Sequence, residues 1–494
     1  MKPPRRRPDT TEAVPRAATP THHPSRRTPR RGARPGAELL MLAQAILIPA
    51  AGYALADAAA GNQWADGLRQ FAPALTLIAV VPWVAIRRFA PCADPLLLPC
   101  ALLLSGLSLM LLHRLDHAYA QRYHSDPRGP GQLLWICAGV SAFVLILLVV
   151  RHHRMLQRYT YLSAAVALPL LMAPAFFPGD KYGAKRWITM GGLSVQPGEY
   201  VKILIAVFFA GYLTHHGASL ALTGRRLLGV RLPRLRQAGP VLTIWVVSLL
   251  VLVFERDLGT SLIFFALFIA LLHVATQRRS WAVLGLVLGA AGAVVVTAFE
   301  PHVKGRVVAW LHPQDIFLPP GQRPPGLVSD QLAQAQFSFG AGGVTGTGLG
   351  HGHPELIKFA GRSDFILTTV GEELGAAGVM AVLLIYTIMV QRGLKTALSV
   401  SDPFGKLMAM ALSAALGLQV FVVAGGVLGV IPFTGKVLPY LAQGGTSVMA
   451  NWISLAILVR ISHAARAPHR PTGLPPVREA EPEDRRSRVR RESA

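Results

Sequence analysis

Apolar residues in this chain do not alternate with polar ones; they gather in long runs separated by short polar or basic stretches. A hydrocarbon layer about 30 Å thick is crossed by about 20 helical residues. Twelve runs meet that need closely enough to be read as helices: 38–59, 71–88, 95–113, 132–150, 160–178, 199–216, 240–255, 258–275, 281–299, 366–390, 404–431 and 446–462. The pattern predicts an all-α, polytopic transmembrane bundle. Some runs are short or contain proline, which is tolerated where neighbouring helices satisfy the freed backbone groups. Between the ninth and tenth runs lies 300–365, longer than a simple connector and mixed in polarity. Loops of that length are functional or disordered. Its apolar residues (Trp310, Leu311, Phe317, Phe337, Phe339, Leu349, Leu356, Phe359) predict a packed cap over the bundle.

The flanks differ. Residues 1–36 and 464–494 are rich in Arg, Pro, Ser, Thr or Glu, with too little apolar content to offset the entropy of ordering. They are read as disordered cytoplasmic tails around a transmembrane domain spanning 37–463. The N-terminal stretch has no apolar core of the kind a cleavable secretory signal needs.

Charge then sets the expected orientation. The chain has 49 Lys and Arg against 25 Asp and Glu, a net +24, yet only 15% of its residues are charged against about a quarter in soluble domains. The excess sits in the tails and in alternate loops, at Arg87 and Arg88; Arg151, Arg154 and Arg158; Arg225 to Arg236; Arg278 and Arg279; Arg392 and Lys395. Alternation of this kind follows the positive-inside rule. It puts both termini in the cytoplasm of a bacterial cell and 300–365 outside, and it argues against a nucleic-acid partner. Arg5, Arg6 and Arg7 either touch anionic membrane lipids or only fix topology. The three cysteines lack metal-ligand spacing and read as buried thiols.

Ionisable groups next to apolar runs are costly and usually pair or work. Asp364, after Arg362 and Ser363, stands at the entrance to a long apolar helix and fits either an N-cap or a catalytic carboxylate. Glu372 and Glu373 lie two turns further on and demand partners or a wet cavity. Glu199 and Lys202, three residues apart after Pro197, share one helix face; they form an internal pair or Lys202 reaches toward headgroups. Glu255, Arg256 and Asp257 crowd a turn between helices, where Asp257 also fits a cap. The glycine-rich stretch 340–352 has no Walker lysine and reads as close backbone packing. His302, His312, His351 and His353 form no zinc motif.

Ordered strings tie these residues together: GAKRW at 183–187, QPGEYVK at 196–202, ERDLGTS at 255–261, KGRVVAWLHP at 304–313, QLAQAQFSFGAGGVTGTGLG at 331–350, RSDF at 362–365, EELG at 372–375 and IPFTGKVLPYLAQGG at 431–445. In this order they resemble the SEDS family, the shape, elongation, division and sporulation proteins typified by RodA and FtsW. DPLLLPCALLLSGLSLMLLHRLD at 94–116 looks like the longer N-terminal bundle of actinobacterial-type members. The resemblance implies a peptidoglycan glycosyltransferase that polymerises lipid II and releases undecaprenyl pyrophosphate, in elongation or division, beside a class B penicillin-binding protein transpeptidase. It implies Asp364 as the general base, Lys202 as a cation for the pyrophosphate, and Arg186 as a further phosphate contact, with Glu199 and Glu373 also at the substrate site. Rival readings are a lipid II flippase and a non-catalytic scaffold. No ligand cluster points to a protein-held metal, although a divalent cation assisting the pyrophosphate is chemically reasonable. The family's QPSE serine is Gly198 here, and its SYGGS string reads Ala442, Gln443, Gly444, Gly445, Thr446, so the subgroup is left open.

Overall fold

The computed structural model describes residues 35–61, 63–176, 187–190, 193–220, 223–227, 230–233, 257–325, 327 and 329–467. Thirteen α-helices lie within them: α1 (Pro35–Ala59), α2 (Trp64–Phe89), α3 (Leu97–Tyr123), α4 (Gly129–Val149), α5 (Thr160–Phe176), α6 (Pro197–Leu220), α7 (Leu258–Thr276), α8 (Arg279–Phe299), α9 (Pro301–Leu311), α10 (Gln331–Gly342), α11 (Ile366–Ser399), α12 (Pro403–Val427) and α13 (Gly445–Arg466). Nine are long and apolar enough to cross a membrane by length and composition. Eleven of the twelve expected helices are present; the one expected at 240–255 lies outside the described residues, as do both tails through 34 and from 468. Two short antiparallel hairpins, Ile188–Met190 with Leu193–Val195 and Thr223–Leu227 with Val230–Pro233, flank α6.

Small residues set the helix spacing, as van der Waals packing requires where lipid is as apolar as the side chains. At Gly139 of α4 a Cβ would lie 2.7 Å from Trp452 of α13, so the indole packs directly on backbone and meets Phe143 edge-on at 5.7 Å. Gly445 takes Trp135 in the same way. α3 is buried along most of its length. It also runs ten residues past the expected end at 113, because Arg114, Asp116 and Tyr119 find partners inside the protein.

The 300–365 segment is structured, containing α9, α10 and 3-10 turns at Pro313–Phe317, Pro320–Gln322 and Pro354–Arg362. Trp310 donates to Gly429 O at 2.7 Å, and Phe339 and Leu349 pack on the core. Leu311, Phe317, Phe337, Leu356 and Phe359 are exposed, so Trp310, Phe339 and Leu349 are the members of the expected cap that pack on the core. Cys92 and Cys100 are partly buried, but Cys137 is exposed on the outer face of α4, against the expectation of three buried thiols.

Opposite helix ends are closed by caps. Asp402 caps α12, accepting from Gly405 N at 2.7 Å and from the ring of His153 at 2.7 Å. Burial pushes this carboxyl up, but the bonds from His153 and Gly405 and the charges of His153 and Arg154 outweigh it and hold it below the usual carboxylate range. A depressed carboxylate contributes stability that is complete above its unfolded value of about 4 and is lost as pH falls through the folded value. Asp402→Ala should therefore cost about 1–2 kcal/mol at neutral pH. In thermal melts in detergent, the gap from the parent protein should close as the pH falls below about 4. A gap independent of pH would show that the carboxylate is not the stabilising form.

Candidate functional site

Two charged clusters lie in the bundle, one of them reached by the loop 428–444 that leads into α13. The first is built on α6. Pro197 opens the helix and Glu199 lies in its first turn. Lys202, one turn on, places its Nζ 3.1 Å from Glu199 Oε2 and donates to Gln419 Oε1 of α12 at 2.7 Å, with Asn451 Oδ1 of α13 at 3.5 Å. Ser447 donates to Glu199 Oε2 at 3.3 Å. Lys436 comes from the loop, 3.8 Å from Glu199 Oε1 and 3.2 Å from Asp257 Oδ2. Asp257 caps α7, accepting from Thr260 N at 3.1 Å and from its hydroxyl at 2.7 Å. A Cβ at Gly259 would lie 2.4 Å from Lys436 Cγ, so glycine is what lets this lysine pass α7. Glu199, Lys202, Asp257 and Lys436 are all buried, and two carboxylates balance two ammoniums. That balance is how a membrane interior tolerates four charges.

The second cluster joins α3, the glycine-rich stretch and α11. Arg114 Nε lies 2.8 Å from Glu373 Oε1, and its other end donates to Gly352 O at 2.8 Å. Glu372 Oε1 accepts from His353 N at 2.5 Å. α11 is broken at Gly375, whose φ is 69°. The freed backbone is taken up by the glycine-rich stretch: Thr347 N and Gly348 N donate to Glu372 O and Glu373 O, and Ala376 N and Ala377 N donate to Gly343 O and Val344 O, all at 2.9–3.1 Å. A Cβ at Gly342 would lie 1.9 Å from Gly371 O, so the two backbones are in direct contact. Close backbone packing was the expected role of these glycines.

Asp364 lies just before α11. Phe365, not Asp364, occupies the N-cap position of α11, and that cap makes no side-chain bond. The cap reading of Asp364 is thus not the geometry found. Its Oδ1 accepts from Ser363 Oγ at 2.8 Å, and it is partly exposed whereas Glu199, Asp257, Glu372 and Glu373 are buried. Arg362 before it lies 3.6 Å from Asp116 and between the rings of Tyr119 and Phe359, 4.9 Å from each. Phe365 after it packs on Phe433 at 4.6 Å, and Gln443 N donates to Arg362 O at 2.8 Å. The residues on either side of Asp364 are therefore held by the loop that also supplies Lys436.

Glu199 and Lys202 thus meet each other, and Glu373 meets Arg114 in the second cluster. Arg186, Glu255 and Arg256 lie outside the described residues. Sequence reasoning did not single out Gln419, Ser447, Asn451, Arg114 or Asp116, and Lys436 appeared only within a string. The available signal was a polar residue inside an apolar run, present at Gln419, Asn451 and Arg114.

Comparison with known proteins agrees with this architecture. The cell cycle protein family FtsW/RodA/SpoVE matches residues 95–467. Peptidoglycan glycosyltransferase RodA of Mycobacterium leprae is 42% identical over 455 residues, covering 91% of this chain and 95% of its own. RodA of Mycobacterium tuberculosis is 43% identical over 447 residues, covering 90% and 93%. Stage V sporulation protein E of Bacillus subtilis is 25% identical over 377 residues, covering 76% and 98%. Among solved structures, a chain of a peptidoglycan synthase complex that coordinates polymerization and crosslinking superposes with TM-score 0.58 at 23% identity, covering 76% of this chain and 98% of that one. A variant of the rod shape determining protein RodA of Thermus thermophilus gives TM-score 0.52 at 20% identity, covering 76% and 99%, and shows the same fold. With a family match over most of the chain and relatives above 40% identity along nearly all of it, this protein belongs to the FtsW/RodA/SpoVE family.

Proposed function

We propose that this protein is a peptidoglycan glycosyltransferase of the RodA type, joining lipid II disaccharides into glycan strands at the outer leaflet of the bacterial membrane. The observation that carries this reading is Asp364: a partly exposed carboxylate oriented by Ser363 at the start of α11. Asp364 takes the proton of the acceptor sugar hydroxyl, with Ser363 orienting its carboxylate. The acceptor oxygen then bonds to the donor sugar as the bond to undecaprenyl pyrophosphate breaks. Lys202 acts from inside its pairing with Glu199 and Gln419, keeping the loop 428–444 in register and a cation near the departing pyrophosphate. Arg186 and Glu373 complete the substrate site in this proposal, Glu373 by fixing Arg114 and the glycine-rich stretch. Among the described residues no trio of His, Cys, Asp or Glu donors converges on Asp364.

Identity to the mycobacterial RodA proteins, 42–43%, against 25–29% to the named FtsW and sporulation relatives, supports elongation over division. The partner in this reading is a class B penicillin-binding protein, and both termini are cytoplasmic. A flippase would use a broken helix as a transport site. The break in α11 leaves no such site, because its freed backbone groups are already bonded to residues 343–348. The test is purified protein with a cognate transpeptidase and labelled lipid II. Long glycan strands are expected; lipid II crossing liposomes without polymer would overturn the assignment.

A further inference from the structure

One cluster lies apart from this machinery. Asp57, near the end of α1, faces His113 and His117 on α3. The two histidines are four residues apart, so their rings share one helix face. Asp57 Oδ1 lies 2.6 Å from His113 Nε2 and 3.4 Å from His117 Nε2, and the two Nε2 atoms are 3.2 Å apart. We propose that these three residues bind one divalent transition-metal ion of the zinc class, clipping α1 to α3.

Donor spacing supports this. Ligands about 2.0–2.1 Å from a tetrahedral zinc ion lie about 3.3 Å from one another. Two edges of the triangle already match, and the third opens by a small turn of the Asp57 carboxylate. The site is also held in place: Tyr53 stacks on His113 at 3.8 Å with 12° between planes, and on Phe71 at 4.2 Å. Asp57 is buried, whereas the His113 and His117 side chains are 21% and 33% exposed, which leaves an entry path and a fourth position for water. Two imidazole nitrogens 3.2 Å apart converge beside one buried carboxylate oxygen. A cation in the centre satisfies all three atoms at once. Asp57 precedes residue 95, where the family match begins, whereas His113 and His117 lie within it, so the site joins α1 to the matched region. The next residue after His113 is Arg114, the partner of Glu373.

The test uses the full chain in detergent with any affinity tag removed. Zinc titration by chelator competition should show one site, and cobalt should give the visible absorption of a tetrahedral nitrogen-and-oxygen environment. His117→Gln and Asp57→Asn should each weaken zinc binding at least about 100-fold, and His312→Gln should not. Zinc should raise the melting temperature of the parent protein but not of His117→Gln. His117→Gln alters the most exposed of the three ligands and guards against misfolding, which the metal-free melting temperature checks. Equal zinc affinity in the parent and His117→Gln, or no zinc and no tetrahedral cobalt signal in the folded parent, would overturn the proposal.

Discussion

Asp364→Asn is expected to lower the rate of glycan-strand formation by at least about 100-fold, the lower end of what a positioned base contributes. The amide is isosteric with the carboxylate and still accepts the hydroxyl of Ser363, so the packing of Phe365 on Phe433 and the start of α11 are preserved. What is lost is the ability to take a proton. The defect should therefore appear in turnover with binding of lipid II unchanged. A folded Asp364→Asn protein that keeps more than about a tenth of the parent rate would place the base elsewhere.

Arg114→Ala carries the largest expected cost in stability. Glu373 is fully buried and its carboxylate lies 2.8 Å from Arg114 Nε. Removing one partner of such a pair costs about 3–5 kcal/mol, since the remaining buried carboxylate loses its countercharge. Arg114 also bonds Gly352 O, so the glycine-rich stretch loses an anchor with it. Replacing both residues by methionine should recover most of the loss, because two apolar side chains leave no charge stranded. Unfolding free energies of the two single variants and the double variant in bicelles would measure this. An Arg114→Ala cost below about 1 kcal/mol would mean that water reaches Glu373.

What could be read in advance follows the range over which each signal acts. Helices α4, α7 and α12 were legible because an apolar run long enough to cross a bilayer is a local property. The Glu199 and Lys202 pair was legible because three-residue spacing is local too. Gln419, Asn451 and Lys436, which complete that cluster, come from distant parts of the chain, and only the fold brings them in. The end of α3 was misjudged at 113 because His113 to Tyr123 is as polar as a loop. Its partners, Lys358 O for Tyr119 and Glu373 for Arg114, lie far along the sequence. Ending the helix there also hid the four-residue spacing of His113 and His117. Asp364 was found by its string; the bonds around it were not, since they depend on how 428–444 folds back.

The helices α1 and α2, which precede the family match at residue 95, pack on α3 and α4. Near its end α1 reaches the glycine-rich stretch: a Cβ on Gly350 would lie 2.4 Å from Ala59, and one on Gly52 would lie 3.6 Å from Leu349. That flank of α3 is consequently walled off from the bilayer. If the proposed function holds, a lipid-borne donor has to reach the site along another flank of the bundle.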